Sequence, residues 1–124
     1  MSLTYEIDAD AGMIFVVGEG ESTQAERFQA MQAWMKDPAF RPGLNILCDF
    51  SAATSPPTLA ELGEIVNFIK RKAAAIGKKK VGIVTADPVT FGAARQFQAL
   101  SHSGPHDVQL FKDRESALAW LREA

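Results

Sequence analysis

The sequence holds a single cysteine, a single tyrosine and only two histidines in 124 residues. One cysteine excludes an internal disulfide and any cysteine-based zinc cluster, and it favours a reducing compartment. No run of about eighteen apolar residues occurs, so no segment is expected to cross a bilayer as a helix. Met1-Ser2-Leu3-Thr4 lacks the basic stretch and apolar run of a secretion signal, which places the chain in the cytoplasm by expectation. Positive charge is not in excess either. The 13 Lys and Arg against 15 Asp and Glu leave a net charge of -2, so nucleic acid is not an expected partner.

Catalytic and cofactor signatures are also absent from the sequence. It has no GxxxxGK-S/T loop, and Gly18-Glu19-Gly20 is too short for a dinucleotide fingerprint. It has no GxSxG nucleophile elbow, so Ser101, His102 and Asp107 carry little weight as a triad. His102 and His106 flank the turn Ser103-Gly104-Pro105 and are expected as exposed loop residues rather than metal ligands. No metal, no cofactor and no catalytic residue is expected, and the chain is not expected to be an enzyme.

What is present describes an ordinary globular core. Apolar residues make up 47% and charged residues 23%, a balance too apolar for disorder, and the length suits one domain over residues 1–124. Leu3 to Asp8 alternates and Met13 to Glu19 carries the continuous run Ile14-Phe15-Val16-Val17. With Asp-Ala-Gly between them, the pair reads as an antiparallel hairpin. A helix from Thr23 to Lys36 opens on the capping box Thr23-x-x-Glu26 and ends at Asp37-Pro38. Phe28, Met31 and Met35 form its stripe, with Trp34 beside it.

A buried strand follows from Leu44 to Phe50. Leu59, Leu62, Val66, Ile69, Ala73 and Ile76 then recur at steps of three and four, predicting one continuous helix capped by Thr58-x-x-Glu61 and closed by Gly77 as a left-handed C-cap. Lys79 to Thr85 is a strand around Val81-Gly82-Ile83-Val84. Asp87-Pro88 opens the next helix, and Ser103-Gly104-Pro105 stops it. Val108 to Phe111 is the last strand, with Val108 and Leu110 on one side. Asp113 caps a final helix that turns Ala117, Trp120 and Leu121 inward.

The order β-β-α-β-α-β-α-β-α predicts an α/β sandwich, its five-stranded sheet mostly parallel with one antiparallel strand. Ligands of such sheets meet the loops at the carboxyl ends of the parallel strands. Those loops hold Asp49, Ser51, Thr54, Ser55, Thr58, Thr85, Asp87 and Thr90, which become the candidate binding residues. Helix starts there offer free N–H donors to an anion or a phosphorylated hydroxyl. Capping is the cheaper explanation for Thr58 and Asp87, since turns and caps favour such side chains. Lys70, Arg71, Lys72, Lys78, Lys79 and Lys80 lie at the opposite end and read as a solvated face.

The element order, the strand end Leu47-Cys48-Asp49-Phe50-Ser51 and the close Phe111-Lys112-Asp113-Arg114-Glu115-Ser116-Ala117-Leu118-Ala119-Trp120-Leu121 resemble SpoIIAA-like proteins. These belong to the STAS group, the sulfate transporter and anti-sigma factor antagonist domains, whose fold is also similar to small Sec14-type lipid-binding domains. The resemblance implies a non-enzymatic regulatory or binding module acting on a protein partner. It also implies a phosphoacceptor at the start of the helix after the third strand, where the family carries Asp-Ser-Ser-Gly. Here the stretch is Pro57-Thr58-Leu59-Ala60. Thr58 keeps a hydroxyl, while the acidic residue, the second serine and the glycine are absent. The alternative is a carrier or sensor of a lipid-like or small apolar ligand, held in a cleft lined by Phe68, Phe91, Phe97 and Met35. A homodimer stays open.

Overall fold

The computed structural model describes residues 2–123. Strands β1 (Leu3–Asp8) and β2 (Met13–Gly20) form the hairpin, followed by α1 (Gln24–Lys36), β3 (Asn45–Ala53) and α2 (Leu59–Arg71). The short α3 (Ala73–Ile76) precedes β4 (Lys79–Val84), α4 (Pro88–Leu100), β5 (His106–Phe111) and α5 (Arg114–Leu121). The five strands lie in sequence order, β1-β2-β3-β4-β5. Only β1 is antiparallel to its neighbour, with Tyr5 opposite Val16 and Ile7 opposite Ile14. The mostly parallel five-stranded α/β architecture with one antiparallel strand, expected from the sequence, is the one present.

Side chains on a strand alternate between the two faces of the sheet, and each face has its own core. Ile14, Val16, Ile46, Val81, Ile83 and Val108 face one way and pack under Trp34 of α1, Ile65 and Ile69 of α2, Ile76 of α3 and Ala94 of α4. Met13, Leu47 and Val84 face the other way and meet Ala117 and Leu121 of α5. The sheet therefore carries three long helices on one side and one on the other.

Local chemistry fixes the helix starts. Thr23 and Thr58 each accept the amide of the glutamate three residues on, and that glutamate accepts the threonine amide in return. Asp87 accepts from the Thr90 amide and Asp113 from that of Ser116. These caps satisfy donors that no intrahelical carbonyl can reach.

Four expectations change. The apolar face over Leu59 to Ile76 is not one helix, because the chain bends at Lys72 and resumes as α3. Ile76 is then turned into the core, whereas Leu59 stays 58% exposed at the other end. Gly77 does close this segment, but with φ 79° and ψ 168° rather than as a left-handed helical cap. A Cβ there would stand 2.7 Å from the Gly43 nitrogen, which already donates to the Ile76 carbonyl, so only glycine fits. The third strand runs on to Ala53, and the fifth begins two residues early, at His106.

Candidate functional site

Phe50 needs space that a β-carbon at residue 18 would take. A Cβ on Gly18 would lie 2.8 Å from the Phe50 ring, so glycine there lets Phe50 lie across the sheet. Beneath this ring, between the sheet and its three long helices, is a cavity of about 200 Å³. Val16, Ile46, Cys48, Val81 and Ile83 form its floor. Ala30, Met31 and Trp34 of α1, Leu62, Ile65 and Ile69 of α2, and Ala93, Ala94 and Phe97 of α4 form its walls. The lining is almost wholly apolar because the inward positions of α1, α2 and α4 and of the strands beneath them carry alanine, aliphatic and aromatic side chains.

Its mouth lies at the carboxyl ends of the strands. Ser22, Arg27, Thr54, Ser55, Pro56 and Pro57 surround it. Arg27 ties this rim together, donating to the carbonyls of Ser22 at 2.8 Å and Ser55 at 3.3 Å and lying 3.5 Å from the Glu61 carboxylate. Ser55 is held at φ 52°, a backbone region costly for a residue with a side chain, and its hydroxyl donates to Glu21 at 3.2 Å.

The far end of the cavity is different. His106 lines it and is 8% exposed, yet among the described residues neither ring nitrogen has a hydrogen-bond partner. Lys79 stands beside it, 6% exposed, and its Nζ also lacks a hydrogen-bond partner. The ammonium lies 4.7 Å from the centroid of Trp34 and 5.9 Å from that of Phe40, so aromatic faces take the place of water. Burial pushes the Lys79 amine down to about 8. Burial, and then the charge of Lys79, push the His106 imidazole down to about 4. Cys48 lines the same cavity, and burial pushes its thiol up to about 12, so it stays a thiol.

These placements correct the sequence reading at two residues. Lys79 is not part of a solvated basic face, and His106 is not an exposed loop histidine. The signal was the strand alternation itself. Lys79 shares a face with Val81 and Ile83, and His106 with Val108 and Leu110. The cleft also has other walls than expected. Of Phe68, Phe91, Phe97 and Met35, only Phe97 lines it. Phe68 is buried against Phe28 at a centroid distance of 5.4 Å, and Phe91 is 37% exposed.

The eight candidate residues at the strand ends divide between the two faces of the sheet. Thr54, Ser55 and Thr90 line the cavity. Asp49 and Ser51 lie toward α5, where the Asp49 carboxylate accepts from the Ser51 hydroxyl at 2.6 Å and from Arg114 at 3.1 Å. Burial alone would raise the Asp49 carboxyl. The hydroxyl and amide of Ser51 and the guanidinium of Arg114 outweigh it and hold the group below its ordinary value. Thr58 is exposed, its hydroxyl oxygen accepting from the Glu61 amide at 3.1 Å. Thr85 is buried, and Asp87 is engaged by both the amide and the hydroxyl of Thr90. The eight therefore do not form one continuous lip.

Among the described residues no cluster of His, Cys, Asp or Glu is arranged to hold a metal, and no helix is long and apolar enough to cross a membrane. Comparison with solved structures supports the fold reading. The chain is similar to the crystal structure of an uncharacterized protein of the DUF3478 family with a SpoIIAA-like fold, from Shewanella loihica PV-4. The TM-score is 0.64 at 16% identity, covering 96% of this chain and 91% of that one, so the likeness defines the class of fold. A sequence match of 25% identity over 87 residues links 68% of the chain to sulfate adenylyltransferase subunit 1 of Teredinibacter turnerae. The chain spans only 19% of that protein's length. No family model matches the chain.

Proposed function

We propose that this chain is a non-catalytic, STAS-like binding module that holds a small, largely apolar molecule between its sheet and helices α1, α2 and α4. The cavity carries this reading. At about 24 cal/mol per Å³, an empty apolar space of this size forgoes up to about 5 kcal/mol of packing. That is comparable with the net stability of many domains, so filling the space with a ligand has a large return. The mouth supplies a route in, bounded by polar side chains that can part without disturbing the core.

Recognition of a protein partner is the second reading, and exposed apolar side chains favour it. Leu59, Val89 and Phe91 are exposed at the starts of α2 and α4, which follow β3 and β4. A partner docking there would sit beside the mouth and could sense whether the cavity is filled. Thr58, next to Leu59, offers a hydroxyl whose phosphorylation would add charge to that surface.

Native mass spectrometry of gently purified protein tests the cavity reading. We expect co-purified mass or uptake of 1-octanol, with both lost in Ala94→Leu, which fills the space. Protein that stays bare and takes up no 1-octanol would overturn the proposal.

A further inference from the structure

The binding reading leaves open which end of a molecule enters first, and the far end of the cavity bears on that. A buried polar group without a partner is costly, and a buried charge more so. Here His106 Nδ1, His106 Nε2 and Lys79 Nζ are all in that position, within one neighbourhood. Among the described residues no carboxylate is paired with them. The charge felt by His106 is that of Lys79, and the ionisable group felt by Lys79 is the Cys48 thiol, which is neutral. His106 and Trp34 both line the cavity, and Lys79, which is not itself part of the lining, stands against the Trp34 ring. An apolar chamber thus ends in an uncompensated positive field with an imidazole facing into it.

We propose that the cavity takes a small amphipathic monocarboxylate head first, with its carboxylate at His106, whose strand partner is Lys79, and its hydrocarbon body against Met31, Ile65 and Phe97. This rests on the cavity being a binding site and adds the class of ligand and its orientation. The His106 N–H donates to one carboxylate oxygen, and the Lys79 ammonium balances the charge. A cavity of about 150 Å³ admits benzene, so this one suits a single ring or a medium-length chain, with any longer tail emerging at the mouth. The opposite orientation would leave the buried pair unsatisfied.

Calorimetric titration with octanoate, 1-octanol and octylamine tests this on the full chain. Octanoate should bind about tenfold more tightly than 1-octanol, as a hydrogen bond to a charged group allows, and octylamine should bind most weakly. Lys79→Met and His106→Phe should each bring the octanoate-to-octanol ratio close to one. In the unaltered protein, octanoate should also shift the His106 ring nitrogens in long-range ¹H–¹⁵N spectra, a readout that does not depend on a variant folding. Binding of 1-octanol as tight as octanoate, with the His106 nitrogens unmoved, would overturn head-first entry and keep the cavity reading. Failure of all three compounds to bind would overturn both.

Discussion

The two faces of the sheet solve the same packing problem differently. On the α5 side, Gly82 lacks a side chain and Leu121 and Ala117 close onto it, so that a Cβ on Gly82 would stand 3.4 Å from Leu121. On the other side three helices meet over a hollow. The polar groups differ in the same way. Lys79 and Lys80 are adjacent in β4 and point to opposite faces. Lys80 Nζ donates to the carbonyls of Trp120 at 3.1 Å and Glu123 at 3.0 Å, whereas Lys79 Nζ has no such partner. Asn45 likewise serves the α5 side, donating to Leu121 and accepting from the Lys80 amide. One face is finished in itself, and the other is built around something the chain does not supply.

The largest test of this contrast is acid. An imidazole held at about 4 when folded and near 6.5 when unfolded binds more protons in the unfolded chain between those values. Stability should therefore be steady above pH 6.5 as far as His106 is concerned and fall as pH drops toward 4, by about 3 kcal/mol in all. Carboxylates with lowered values, Asp49, Asp87 and Asp113, also lose stability in acid. The difference between the native chain and His106→Phe in urea melts across pH 4 to 7 isolates the histidine. Parallel curves would show that His106 is not buried as described.

A middle-sized effect comes from adding the same bulk to each face. Ala117→Leu should cost about 2 kcal/mol, since overpacking a closed interface forces side chains off their rotamers. Ala94→Leu grows into the cavity and should stabilise by about 1 kcal/mol, as cavity-filling changes commonly do. Denaturant midpoints for the two variants should move in opposite directions, and equal destabilisation would contradict the contrast.

The smallest effect separates the two lysines. Lys80→Met leaves two carbonyls without their donor and should cost about 1 kcal/mol. Lys79→Met removes a buried charge that has no ion partner and should leave stability unchanged or raise it by up to about 1 kcal/mol. Thermal melts at pH 7 decide it, and a larger loss for Lys79→Met than for Lys80→Met would reverse the assignment of faces.

Features set by near neighbours in the chain were legible in the sequence. The caps at Thr23, Thr58, Asp87 and Asp113 and the alternation of β1 need only three or four residues to recognise. Ser51-Ala52-Ala53 gave no sign of extending β3, because small and polar residues carry little strand preference and their pairing comes from β2. The bend at Lys72 was hidden because Ala73 and Ile76 keep helical spacing across it. At the site, Thr54, Ser55 and Thr90 are legible from their loops, whereas Lys79 and His106 are not, because ionisable side chains ordinarily face solvent. Strand periodicity would have placed both on the inner face, but only the packing of α1 and α4 makes that face closed.

The sequence order of the strands also bears on how the protein is made. Each strand pairs with the one synthesised just before it, so a chain emerging from the ribosome can extend the sheet without waiting for distant partners. The late exception is α5, whose Leu121 carbonyl meets Asn45, 76 residues earlier. Until α5 docks, the face of the sheet that carries Met13, Leu47 and Val84 has no cover.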